Sequence, residues 1–227
     1  MFRNMNVKLK FLKVKSVPKL FWSSPSASTV RPPLISVFIL ILGLFLFGLG
    51  EALLISSGIG VSPWTVFAQG VKNITGWSIG FATFIISIFV MILWVPLRQM
   101  PGFGTIMNII IIALVLDLVL PFLPKFNHLS LKIAEGLIGV IITGLGGALY
   151  LIANLGPGPR DGLMTGMQKV TNFPIAWVRS TIELLAVAIG WSLGGVAGIG
   201  TLFFAFGIGP SLAASLYGLQ CAFENKK

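Results

Sequence analysis

From position 33 onward the chain runs in long apolar stretches broken by short clusters of Gly, Pro, Asn and charge. Six stretches, about 33–57, 77–97, 103–123, 132–155, 174–193 and 199–220, are near the ~20 residues that cross roughly 30 Å of hydrocarbon. Their apolar positions are continuous rather than alternating, which selects helices and argues against the strands of a β-barrel. Two further stretches, 60–73 (GVSPWTVFAQGVKN) and 156–169 (GPGPRDGLMTGMQK), follow the first and fourth runs. Each opens on Gly and Pro and continues as a short helix. Both are too short and too polar to cross, and are expected as re-entrant or interfacial helices.

The matching short helices point to a duplication. A shift of 96 residues aligns the two halves without a gap, with 18 identities over positions 43–118. Gly48-Leu49-Gly50 meets Gly144-Leu145-Gly146, Gly60 meets Gly156, Pro63 meets Pro159, and Gly104-Thr105 meets Gly200-Thr201. Three spans per copy is an odd number, so the second copy enters the membrane upside down. The expected fold is therefore an all-α membrane protein. It has six transmembrane helices arranged as two three-helix inverted repeats, each with a short re-entrant or interfacial helix after its first span. The segments are a basic cytoplasmic arm and linker (1–32), a first repeat (33–123), an external connection (124–131), a second repeat (132–220) and a short cytoplasmic tail (221–227).

Composition agrees. Of the 227 residues 56% are apolar and 10% charged, and the mean hydropathy is +0.96. Soluble domains carry about 25% charge, so this chain cannot cover a globular surface. The formal charge is +10, of which the first 31 residues hold +7 (Arg3, Lys8, Lys10, Lys13, Lys15, Lys19, Arg31). Beside a membrane domain such an arm is expected to meet anionic headgroups rather than nucleic acid. With the arm inside, Arg98, Arg160, Lys169, Lys226 and Lys227 also fall inside, and only Lys72, Lys125 and Lys132 outside. If the short helices crossed as well, Arg98 would move outside, against the charge rule. Cys221 and His128 are single, so no cysteine–histidine metal site is expected within one chain. No Walker motif, dinucleotide fingerprint or nucleophile–base set is present, so neither an enzyme nor a cofactor is expected.

The run Gly156-Pro157-Gly158-Pro159-Arg160-Asp161-Gly162-Leu163-Met164 resembles the YczE/YitT group of small bacterial membrane proteins, with a degenerate counterpart at Gly60 to Ala68. The resemblance covers about 34–220. It implies the fold and a bacterial inner-membrane location, with no substrate and no catalytic residue.

Charges inside hydrocarbon cost roughly 2.5–3.5 kcal/mol on insertion scales, so each needs a reason. Asp161, in the first turn of the second short helix, suits a capping role at the positive dipole end. Arg160 beside it suits binding of an anionic group, with Trp64 and Thr65 at the equivalent positions of the first repeat. Arg179 and Glu183 lie four apart on one helix face, as an ion pair or a relay. Glu51 sits among Gly48, Gly50 and Ala52, where another helix can approach closely. Asp117 and Glu135 are expected at the outer interface. Asn154 either caps the fourth span or faces a cavity. Gly60, Pro63, Gly156, Gly158 and Pro159 are the expected loop pivots. Inverted repeats with broken or re-entrant helices are the pattern of secondary transporters, so the chain is expected to be a secondary transporter or permease for a small polar or anionic metabolite, with proton coupling through Glu183 or Asp161. Its partners would be membrane lipids, the substrate and a second copy of the chain. The competing readings are a non-transporting accessory or assembly subunit and an uncoupled channel.

Overall fold

The computed structural model describes residues 17–29 and 31–224, so positions 1–16 of the basic arm lie outside the described residues. The described chain is helical: α1 Leu34–Ser57, α2 Pro63–Thr75, α3 Ile79–Ile92, α4 Phe103–Val119 with a 3-10 turn over Leu120–Phe122, α5 Leu129–Ala153, α6 Pro159–Thr171, α7 Ile175–Ser192 and α8 Ile199–Glu224. Local chemistry sets the ends. Pro63 and Pro159 stand first in α2 and α6, where a missing N–H costs nothing. Left-handed residues close α1 and α2 at Gly58 and Gly76, and α5 and α6 at Asn154 and Asn172.

Among the described residues five helices are long and apolar enough to cross a membrane: α1, α4 with its 3-10 extension, α5, α7 and α8. The second apolar run departs from expectation. Helix α3 stops at Ile92, after 14 residues, and a turn carries the chain to Arg98. At ~1.5 Å per residue α3 covers only about 21 Å. It makes a sixth crossing only together with α2, from which it is bent by 112°. The helix ends because Trp94 turns inward, its indole N–H donating to the Pro159 carbonyl at 2.9 Å.

Helices α1 and α5 form the central pair, packed backbone to backbone. A Cβ added at Gly43 would lie 2.9 Å from the Gly146 carbonyl oxygen, and one at Gly146 would lie 2.5 Å from that of Gly43. Gly50 and Gly139 block each other in the same way, at 2.5 and 2.7 Å. These small residues seven apart let the two helices touch along their axes. Around the pair pack α4 on α1 and α8 on α5. Large apolar side chains point outward on the perimeter, Phe38 and Phe45 on α1, Leu114 on α4, Leu184 on α7 and Phe206 on α8.

The starts of α2, α3 and α4 recur 96 residues later in α6, α7 and α8, with α2 and α6 matching at both ends, and α5 starts one residue earlier than the same shift of α1. Loop contacts recur as well, with the halves exchanged. The Gly104 N–H donates to the Leu155 carbonyl at 2.6 Å, and the Gly200 N–H to the Ile59 carbonyl at 2.9 Å. Gly60 and Gly156 both have φ +116°, a conformation that suits glycine, and each lies against the opposite helix start, at Gly198 and Gly102.

The Ser/Pro stretch expected as a linker is pinned to one end of α5. The Ser24 N–H donates to the Ala153 carbonyl at 3.0 Å, and Ser36 Oγ donates to the Trp22 carbonyl at 2.6 Å. The Trp22 ring is buried and packs edge-on against Phe223 of α8. Tryptophan burial supplies the adhesion that a Ser/Pro sequence alone lacks.

Candidate functional site

The N-terminal turns of α2 and α6 meet at the centre of the molecule, over a cavity of about 110 Å³ to which all eight helices contribute. Many of its walls are 96-residue equivalents: Trp64 and Arg160, Thr83 and Arg179, Ser87 and Glu183, Asn108 and Phe204, Ile112 and Ile208. The cavity is therefore assembled from both halves rather than from one.

Arg160 holds the middle. Its guanidinium carbon lies 5.4 Å from the Trp64 ring centroid, within cation–π range. Among the described residues it makes no ion pair and no hydrogen bond to protein. A guanidinium carries five N–H donors, so this one keeps its hydrogen-bonding capacity for something else. Asp161, next in sequence, is taken up: the Tyr150 hydroxyl of α5 donates to its Oδ2. Gly158, not Asp161, occupies the N-cap of α6, and no side chain caps that helix. Asp161 still sits in the first turn, where its charge complements the dipole.

Arg179 Nε donates to Glu183 Oε1 at 2.9 Å, forming an i, i+4 pair on α7 that lines the cavity. The pair is less buried than its place in an apolar run implies, with side chains 44% and 20% exposed. Glu183 Oε2 has no protein partner among the described residues. The side-chain amide of Asn108 likewise lines the cavity without a protein partner.

Glu51 and Thr65 lie behind this wall. Glu51 is 1% exposed, and its Oε2 accepts from Ser62 Oγ at 2.8 Å and Thr65 Oγ1 at 2.7 Å. Its Oε1 and the Trp64 indole N–H are buried without partners among the described residues. Two hydroxyls from the first turn of α2 and its N-cap thus hold one oxygen of this buried carboxyl, as burial of a polar group requires.

Asn154 takes the capping role of its two expected ones: it is the left-handed C-cap of α5, and its amide donates to the Ser24 carbonyl at 2.8 Å, away from the central cavity. Asp117 does not end free at the interface. It accepts from Ser78 Oγ at 2.5 Å and from the Gly80 N–H at 2.8 Å, anchoring the start of α3. Glu135 is buried, and neither of its oxygens has a hydrogen-bond partner among the described residues. Of the pivots, Gly60 and Gly156 have positive φ, Gly158 is extended, and Pro63 and Pro159 begin helices. Three contributors were not singled out from the sequence. Tyr150 reads as one apolar position among many, although a tyrosine buried in a span needs a hydroxyl partner. Asn108 was a visible clue, a lone amide inside an apolar run. Ser62 shows its role only once Glu51 is placed beside it.

No solved structure matches the chain. Among curated relatives, an uncharacterized protein of Haemophilus influenzae is 42% identical over 197 residues, covering 87% of this chain and 89% of the relative. The uncharacterized membrane protein YczE of Bacillus subtilis is 31% identical over 176 residues, covering 77% of this chain and 82% of the relative. YyaS of the same organism, also uncharacterized, is 29% identical over 166 residues, covering 71% and 82%. Residues 34–215 match the family of unknown function DUF6198, and the chain belongs to that family.

Proposed function

We propose that this DUF6198 member is a secondary transporter or permease for a small polar or anionic metabolite, seated in a bacterial inner membrane with both termini cytoplasmic. The observation that carries the proposal is the unpaired Arg160 guanidinium facing a cavity built from both halves. In this reading the chain is an inverted repeat of three spans, with α2–α3 and α6–α7 as broken elements. The reciprocal contacts of Gly104 with Leu155 and Gly200 with Ile59 support it, because a two-fold relation exchanges partners in that way. Carriers of this kind place substrate near the midplane, between discontinuous helices whose N-termini point at an anionic group. Here α2 and α6 supply those N-termini, and Arg160 adds a fixed cation. The role is carriage, with no bond-breaking chemistry assigned to the chain. A polar centre favours it over an accessory subunit, whose middle is expected to be packed and apolar.

The test is a thermal-shift screen of the purified chain in detergent against a metabolite library, run beside Arg160→Ala. A ligand that raises the melting temperature of the parent and not of the variant supports the proposal. A library without a stabilising ligand, or one whose hits act equally on both proteins, refutes it.

A further inference from the structure

The charges around the cavity narrow the ligand further. Its lining carries two cations, Arg160 and Arg179, and two acids, Asp161 and Glu183. The lining is thus balanced in sign. A net anion would add an uncompensated charge to it, in surroundings where that is expensive. A net cation would leave the Arg160 donors unmet. Among the described residues Arg160 is the charged group of the lining with neither a hydrogen bond nor an ion pair. Asp161 is held through Oδ2 by Tyr150 and Arg179 through Nε by Glu183 Oε1, which leaves Glu183 Oε2 open to a donor. Arg160 and Glu183 border the same cavity. The volume of about 110 Å³ suits a small molecule.

We infer that the ligand is a small zwitterion, the size of a two- or three-carbon amino acid, its carboxylate on Arg160 and its ammonium on Glu183. The inference rests on the carrier reading above and deepens it. A carboxylate takes two parallel N–H bonds from the guanidinium fork, with the α6 N-terminus behind it. The ammonium completes Glu183 and shares that carboxylate with Arg179. Ligand and site then leave no net charge added to the membrane interior. Asn108 and the Ser87 hydroxyl remain for hydrogen bonds that set orientation, and the Thr83 hydroxyl, which donates to the Ile79 carbonyl, remains as an acceptor.

The experiment uses the purified full chain in detergent at neutral pH, titrated calorimetrically with glycine, alanine, propionate and propylamine. Glycine or alanine is expected to bind at least tenfold more tightly than propionate or propylamine. Arg160→Lys, which keeps the charge and loses the fork, is expected to weaken alanine at least tenfold. Glu183→Gln is expected to weaken alanine by a similar factor and to narrow its advantage over propionate. Propionate binding as tightly as alanine overturns the inference, as does unchanged alanine affinity in Glu183→Gln. Binding of some other metabolite through Arg160, with none of glycine or alanine, overturns the zwitterion and leaves the carrier reading standing. No binding of any small molecule overturns both.

Discussion

The hydrogen bond between Tyr150 and Asp161 joins α5 to α6 directly beside Arg160, and its strength is open to measurement. Tyr150→Phe removes only the hydroxyl. The ring keeps its place against Phe47, which stands edge-on to it at a centroid distance of 6.3 Å. The lost bond has a charged acceptor, so the variant is expected to lose about 1.5–3 kcal/mol. Asp161→Ala strands the buried Tyr150 hydroxyl instead, which costs about 1–3 kcal/mol. The double variant has neither an orphan donor nor an orphan acceptor. It should therefore be more stable than the sum of the singles implies, with a coupling of at least ~1.5 kcal/mol. Asp161→Asn keeps an acceptor and is expected to lose about half as much as Asp161→Ala, since bonds to charged groups are roughly twice as strong as neutral ones. Reversible unfolding in mixed detergent micelles, followed by tryptophan fluorescence, gives all four stabilities. If the double variant equals the sum of the singles within ~0.5 kcal/mol, the bond does not hold α6, and the positioning of Arg160 needs another explanation.

The remaining expectations concern the pair on α7, the central seam, the pinned segment and the orientation. Because Arg179 is 44% exposed, Glu183→Gln should lower stability by no more than ~1 kcal/mol, measured by the same unfolding assay, while reducing ligand affinity. Gly50→Ala places a methyl 2.5 Å from the Gly139 carbonyl oxygen and should destabilise by about 1–3 kcal/mol or more. Gly209→Ala, with nothing within 4 Å of the new methyl, should be neutral or gain up to ~1 kcal/mol. Trp22→Ala empties a buried aromatic site and should cost about 3–5 kcal/mol, with protease cleavage of the segment after Val17 rising in parallel. Membrane-impermeant thiol reagents should label the exposed native Cys221 from the cytoplasmic side. A cysteine placed at the exposed Asn127, in a Cys221→Ser background, should be labelled from the opposite side.

Much of the helical layout is legible in the sequence because membrane spans and Gly/Pro breaks are local signals. Pro63 and Pro159 announce helix starts wherever they stand, and the 96-residue shift shows in identities that need no structure. The short α3 was not legible, since Trp94-Val95 continues the apolar run and only the distant Pro159 carbonyl turns the indole inward. The site was partly legible. Arg160 and Trp64 were paired through the repeat, and they lie together around one cavity. Glu51 and Thr65 were both named, but the repeat relates neither to the other, and their bond crosses from α1 to α2. Asn154 drew attention by preceding the Gly/Pro loop, yet its left-handed backbone turns it toward Ser24. The contrast is between properties carried along one helix and contacts made across two. Periodicity and composition report the first and are silent on the second.

The glycine seam between α1 and α5 has a consequence for biogenesis. Gly43 and Gly50 meet partners that leave the ribosome about 90 to 100 residues after them. At 5–20 residues per second, that interval is roughly 5–20 s. Throughout it α1 is threaded into the bilayer with a bare backbone groove on one face, and its proper neighbour does not yet exist. A bulky side chain at Gly146 would leave this nascent intermediate untouched and damage only the final docking. The same change at Gly43 alters the groove from the moment of insertion, when other helices can occupy it. The two positions are matched in the finished protein and unequal in its assembly. Pulse-chase of the paired variants would separate them by the age of the chain at which degradation begins.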